Sequence, residues 1–191
     1  MTMDWPAIQP APTHLVEALA NRHLCLCGFM AAGKTLVGQR LAVRLALPFV
    51  DLDDYLTATL GRTPAALIGQ EGEVAFRALE ADALQRVLDS EPSVVALGGG
   101  TLLRDENRSL VRDRAVVVHL KVSAETARAR ALAENDRDRP LLGETLEDTR
   151  RRLEARRIAY DCCDFEVDAD CSDPEAVTAA VLAGLGHLSA L

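Results

Sequence analysis

A chain of 191 residues with 49% apolar but only 4% aromatic side chains has room for one α/β domain cored by Ala, Leu and Val, and is short for two. Its formal charge of −8 runs against a general nucleic-acid binder, and no apolar run approaches the length of a membrane span. Asp4, Trp5 and Pro6 stand where a secretory leader would be basic and apolar, so the chain reads as a cytoplasmic protein whose five cysteines, an odd number, stay reduced.

Residues 1–22 read as an N-terminal appendage, proline-rich and then helical from Thr13 to Asn21, ahead of a single domain over 23–191. The first strand is expected at Leu24–Cys27, with Cys25 and Cys27 as small hydrophobes on its faces. Gly28-Phe-Met-Ala-Ala-Gly-Lys-Thr35 follows, a complete G-x-x-x-x-G-K-[ST] phosphate-binding loop, and a helical pattern over Lys34–Leu45 comes next. Strand, loop and helix in that order are the context this motif needs. Gly28 and Gly33 permit a tight turn through Ala31 and Ala32 whose N–H groups converge on phosphate oxygens. The start of the helix, with Thr35 and Leu36, adds its positive end. Lys34 supplies a mobile charge for the β- and γ-phosphates, and the Thr35 hydroxyl suits Mg²⁺. A bound nucleoside triphosphate is the expectation.

A second strand over Pro48–Asp51 runs into Asp51-Leu-Asp53 and a helix over Asp53–Leu60. Two neighbouring carboxylates at a sheet's C-terminal edge suit different tasks: one holds hydrated Mg²⁺, and the other orients or deprotonates an attacking hydroxyl. Asp53 is equally suited to cap the helix it begins, and the sequence leaves both roles open. A helix over Glu73–Leu88 carries Arg77. The third strand, Ser93–Leu97, ends in Gly98-Gly99-Gly100 rather than in an acid, so a small ligand can approach its backbone. A helix over Glu106–Val111, a strand over Ala115–Lys121 and a helix over Ala124–Ala133 come next. The charged segment Glu134–Glu144, with Arg137, Arg139 and an apolar Pro140-Leu141-Leu142 anchor, reads as a lid over the triphosphate. A helix over Leu146–Tyr160 carries Arg156, and a strand over Phe165–Val167 and a helix over Pro174–Leu188 complete the chain. Arg77 and Arg156 together could grip a substrate carboxylate. Cys162-Cys163 has no C-x-x-C partner and no nearby His, which argues against zinc. Short apolar strands alternating with helices imply a parallel sheet covered on both faces.

The phosphate-binding loop Gly28–Thr35, the D-x-D of Asp51 and Asp53, G-E-x-x-F-R at Gly72–Arg77, G-G-G at Gly98–Gly100, R-P-L-L at Arg139–Leu142 and R-x-x-x-Y at Arg156–Tyr160 occur in the order of shikimate kinases. The resemblance spans residues 22–188. It implies the α/β, three-layer P-loop kinase fold: a five-stranded parallel sheet in the order 2-3-1-4-5, helices on both faces and a lid over 134–144. It also implies transfer of the ATP γ-phosphate to shikimate by a cytoplasmic monomer using Mg²⁺. By position, Asp53, Arg77, Gly99 and Arg156, with Gly98 and Gly100 beside them, match the shikimate site. Thr35 and Asp51 match the metal site, and Lys34, Asp53 and Arg139 the catalytic groups. Arg139 and Arg137 match positions that approach the phosphates. Two positions depart from the common pattern: Ala31 replaces a frequent glycine, and Asp164 a frequent small residue. A gluconate kinase of the same fold, or a P-loop regulator without phosphotransfer, are the competing readings. The triple glycine with Arg77 and Arg156 argues against the first; retention of Lys34, Thr35, Asp51, Asp53 and Arg139 argues against the second.

Overall fold

Side chains alternate along a strand, and in this sheet both sets are apolar. The computed structural model describes residues 11–19, 21–133, 145–170 and 173–188; the lid expected over 134–144, with Arg137 and Arg139, lies outside them, as does Cys171. β1 (His23–Cys27), β2 (Phe49–Asp51), β3 (Val94–Ala96), β4 (Ala115–Lys121) and β5 (Phe165–Asp168) form one sheet in the order β2-β3-β1-β4-β5, with every pair parallel. On one face Leu24, Leu26, Val116 and Val118 meet α2 (Lys34–Leu45), α7 (Ala124–Ala133) and α9 (Pro174–Leu188). On the other, Cys25, Cys27, Val95 and Val117 meet α3 (Leu52–Leu60), α4 (Pro64–Glu71), α5 (Glu73–Leu88) and α6 (Asp105–Arg114). The three-layer α/β arrangement and the strand order are those expected.

The short helix α1 (Thr13–Ala18) lies against α9. Leu15 and Leu19 are buried in the first of the two cores, each burial stabilising by about 1.5–3 kcal/mol. The Ala11 N–H donates to the Arg44 carbonyl at 2.7 Å, so the segment before β1 is tied to the end of α2. α1 is shorter than expected, and Asn21 beyond it adopts φ 62°.

Two local differences bear on the site. α4 was not anticipated, although its signals are plain. Gly61 ends α3 in the left-handed region at φ 67°, the Thr63 hydroxyl accepts from the Ala66 N–H at 3.3 Å, and Pro64 occupies the first turn. The helix expected over Leu146–Tyr160 is instead α8 (Leu146–Ala155) followed by a 3₁₀ turn over Arg157–Tyr160. The break falls at Arg156, with φ −96° and ψ −4°. A Thr145–Asp148 capping box starts α8.

Asp164, the second departure, closes the β4–β5 ladder. Its carboxylate accepts from the buried Val117 N–H at 2.7 Å, and its own N–H donates to the Val117 carbonyl at 2.8 Å. Asp164→Ala strands that amide and is expected to cost about 1–3 kcal/mol, whereas Asp164→Asn, which keeps an acceptor, costs less. Urea unfolding of the two variants measures the difference; equal losses would show that the side-chain acceptor is irrelevant.

Candidate active site

Parallel strands end together, and at their C-terminal edge lies a cleft of about 750 Å³ lined by the phosphate-binding loop, the ends of β2 and β3, and α3, α4 and α5. Gly33 caps α2 in the left-handed region at φ 87°, which turns the first amides of that helix toward the cleft. Ala31, Ala32, Gly33, Lys34, Thr35 and Leu36 all line it. Gly28 does not. At φ 145° it sits below the loop, where a Cβ would stand 2.5 Å from the Leu120 carbonyl, so its contribution is close packing against β4. Ala31 holds φ 56°, a left-handed value that costs an L-residue about 1–2 kcal/mol, which explains why glycine is common there.

Lys34 is half-buried, and its partial desolvation lowers its pKa while the nearby Asp53 carboxylate opposes that shift. Its ammonium donates to the Gly28 and Phe29 carbonyls at 3.0 and 3.1 Å. The Thr35 hydroxyl donates to Asp51 Oδ2 at 2.7 Å. Asp51 Oδ1 meanwhile accepts from the Asp53 and Asp54 amides at 3.0 and 3.4 Å, so Asp51 is the N-cap of α3. Capping of α3 thus falls to Asp51 and not to Asp53. Asp53 belongs to the first turn of α3 rather than to β2, and strand alternation is not what brings the two carboxylates together. Asp53 faces the cleft with no capping duty. Burial first, then the Asp51 and Glu80 carboxylates, push its pKa up to about 6, with Lys34 and Arg77 pulling the other way.

The three glycines after β3 contribute room as well as backbone. A Cβ at Gly98 would stand 2.7 Å from Glu80 Oε1 and 3.0 Å from Asp53 Oδ1. At Gly99 it would stand 3.1 Å from Arg156 Nη1, and at Gly100 it would collide with the Arg77 guanidinium. Arg77 is held by Glu80 at 2.7 Å and by Glu73 at 3.2 Å. Glu80 is 1% exposed and also accepts from the Thr101 hydroxyl at 2.7 Å. Sequence reading passed over Glu80, yet its place three residues after Arg77 on one helix is the spacing that pairs such side chains. Arg156 is 8% exposed and lies over the Phe29 ring at 5.1 Å. Burial holds its pKa below the ordinary arginine value, with Arg77 adding repulsion, though a guanidinium stays protonated. Among the described residues no carboxylate pairs with Arg156.

Beyond the loop the cleft continues between α7 and α9 past Arg130, Ala169, Pro174 and Val177, none of which the sequence singled out. Arg130 donates to the Ala31 carbonyl at 3.3 Å and to the Ala169 carbonyl at 2.8 Å. The arginines between positions 128 and 157 divide into two groups. Arg130 and Arg156 reach the cleft, while Arg150, Arg151 and Arg157 pair with Glu125, Asp148 and Glu154 on the surface.

The family model for shikimate kinase matches residues 30–185. A shikimate kinase of Salinibacter ruber is 42% identical over 155 residues, 76% of each chain. One from Xanthomonas oryzae pv. oryzae is 36% identical over 163 residues, covering 84% of this chain and 89% of its own. Among solved structures, shikimate kinase from Acinetobacter baumannii in complex with shikimate superposes with a TM-score of 0.81 at 30% identity, over 90% of this chain and 95% of that one. A gluconokinase from Sinorhizobium meliloti, at a TM-score of 0.59 and 18% identity, shares the fold.

Proposed function

The chain belongs to the shikimate kinase family, and from that premise we propose how its residues divide the work of phosphoryl transfer. It is an ATP-dependent kinase that phosphorylates the 3-hydroxyl of shikimate, on the route to chorismate and the aromatic amino acids. The assignment of the acceptor side rests above all on Arg156: a buried cation lacking a carboxylate partner among the described residues calls for an anionic ligand, and shikimate is a carboxylate. Arg156 and Arg77 flank the gap left by Gly99 and Gly100 and bind that carboxylate between them. Glu80 positions Arg77 through Nη1, and the exposed Glu73 carboxylate on Nη2 gives way to the ligand. Asp53, two residues after Asp51 and tied to its carboxylate through the Asp53 amide, takes the hydroxyl that attacks.

On the donor side the loop amides of residues 31–36 and the Lys34 ammonium hold the β- and γ-phosphates, and the nucleoside extends toward Arg130 and Pro174. Arg139 and Arg137 are assigned to the phosphates on sequence grounds alone. Thr35 and Asp51 supply two hard oxygens side by side, a set that fits Mg²⁺ when phosphate oxygens and water complete the shell. When bound, Mg²⁺ neutralises charge on the β- and γ-oxygens. Lys34 does the same from the protein and exchanges its two carbonyl partners for phosphate oxygens as nucleotide binds. A monomeric, cytoplasmic enzyme completes the reading; no helix among the described residues is long and apolar enough to cross a membrane.

Arg77→Lys and Arg156→Lys are each expected to raise the KM for shikimate about 10–100-fold and to change the KM for ATP by less than about threefold. Lysine keeps the charge but loses the planar fork. Steady-state ADP release with each variant, and with shikimate, quinate and gluconate on the parent protein, measures this. Equal losses for both substrates would remove the arginines from the acceptor site. ADP release with gluconate and not with shikimate would overturn the acceptor itself.

A further inference from the structure

Cys27 and Cys163 are 136 residues apart in sequence, yet their sulfurs lie 3.2 Å apart and share one thiol hydrogen. Both are free thiols. Cys27 is 2% exposed at the end of β1, immediately before Gly28 and the phosphate-binding loop. Cys163 is half-buried in the turn between Tyr160 and β5, the less enclosed of the two residues. Cys25 and Cys162, also buried, pack in the same core.

We propose that Cys27 and Cys163 are an oxidisable dithiol whose disulfide weakens acceptor binding by drawing Arg156 out of place. The oxidant is a hydroperoxide. Its oxygen transfers to the Cys163 sulfur, giving a sulfenic acid and releasing water or an alcohol. The Cys27 sulfur then attacks the Cys163 sulfur, the S–O bond breaks, and a second water leaves with the Cys27 proton. A disulfide needs about 2.05 Å between sulfurs, so the pair must close by more than about 1 Å. The closure has one side free of strand pairing. Cys27 is fixed at the end of the central strand opposite His119 of β4, and Asp164, next to Cys163, is clamped to Val117 by two hydrogen bonds. The closure is therefore taken up on the other side of Cys163, by the 3₁₀ turn over Arg157–Tyr160 and by Arg156 at its head. A hydrogen bond with Cys162 lowers the Cys163 pKa, but the bond with Cys27 and burial outweigh it and hold the thiol above the ordinary cysteine range. Oxidation is accordingly slow at neutral pH and faster in alkaline buffer.

The effect on shikimate rests on the assignment of Arg156 to its carboxylate; the cross-link does not. The test treats the full-length protein with hydrogen peroxide, maps disulfides by mass spectrometry of unreduced peptides, and measures both KM values before and after dithiothreitol. The expected result is a Cys27–Cys163 peptide pair, a rise of about tenfold or more in the KM for shikimate with little change for ATP, and full recovery on reduction. Cys163→Ser should retain the activity of the reduced enzyme and resist peroxide, whereas Cys162→Ser should remain sensitive. Three results overturn the proposal: no Cys27–Cys163 link when other thiols are oxidised, a Cys162–Cys163 link in its place, or a Cys27–Cys163 link that leaves both KM values unchanged. The mapping on the unmutated protein decides the matter even where a serine variant folds poorly. Arg156→Lys separates failure of this device from failure of the Arg156 assignment, since a link that forms without kinetic effect in a protein whose Arg156→Lys variant has lost shikimate affinity condemns the device alone.

Discussion

Lys34→Ala is expected to abolish phosphoryl transfer, with turnover falling at least about 10³-fold, in a protein that still folds. The ammonium stands at the phosphate-binding loop, and among the described residues none is ready to replace it: Arg130 is engaged with the Ala31 and Ala169 carbonyls, and Arg77 with Glu73 and Glu80. Folding should tolerate the loss. Burial lowers the Lys34 pKa, so holding the ammonium costs the folded state relative to the unfolded chain, and deleting it removes that cost along with two hydrogen bonds to carbonyls. Circular dichroism and thermal melting establish the fold, and stopped-time ADP assays the rate. Turnover within about tenfold of the parent, in a folded variant, would refute the role given to the loop lysine.

Asp53→Asn should reduce turnover by about 10²–10⁴-fold if the carboxylate takes the hydroxyl proton, and by less if it only orients the hydroxyl in a loose transition state. pH separates these. With a pKa near 6, Asp53 loses its charge as pH falls through that value, so parent kcat/KM should drop about tenfold per unit below it, a limb that Asn removes. Stability should move the opposite way. The native pKa lies above the ordinary 3.8, so ionising Asp53 costs the folded state. That cost is absent below about pH 4, accumulates up to about pH 6 and stays constant above. Asp53→Asn should therefore be more stable than the parent by about 1–3 kcal/mol at pH 7.5, with the difference vanishing in acid. A variant of near-normal turnover that keeps the acid limb, or is less stable at pH 7.5, would show that Asp53 is neither base nor strained.

Much of this was legible in the chain. Each strand of the sheet carries an apolar run bounded by turn residues, and Lys34–Leu45, Glu73–Leu88 and Pro174–Leu188 run between boundaries that the sequence marks. The loop, Asp53, the glycines and both site arginines stand in motifs whose spacing is local. What escaped detection depends on contacts between distant segments. Nothing near Asp164 in sequence announces the Val117 amide, and nothing near Cys163 announces Cys27. The break at Arg156 escaped because the residues on both sides of it are compatible with continued helix; tertiary packing of Ala159 and Tyr160 against the second core ends it. α4 escaped for a different reason: Thr63-Pro64 is a sound start signal, but only Leu67 of its residues is fully buried, so its apolar periodicity is faint.

The glycines at positions 98–100 define the site by what they leave out, and that makes them informative about other chains of this architecture. Each vacated Cβ volume is claimed by a different partner: the Asp53 and Glu80 carboxylates at 98, Arg156 at 99, Arg77 at 100. If Asp53 takes the hydroxyl and the two arginines the carboxylate, a side chain at the first position crowds the hydroxyl's partner, and one at either of the others crowds the anion clamp. The tail of the third strand thus works as a template for acceptor type, readable without knowing where the remaining site residues lie. On the same scaffold, a kinase whose acceptor carries no carboxylate is free to fill positions 99 and 100; one that must neutralise a carboxylate in this way is not.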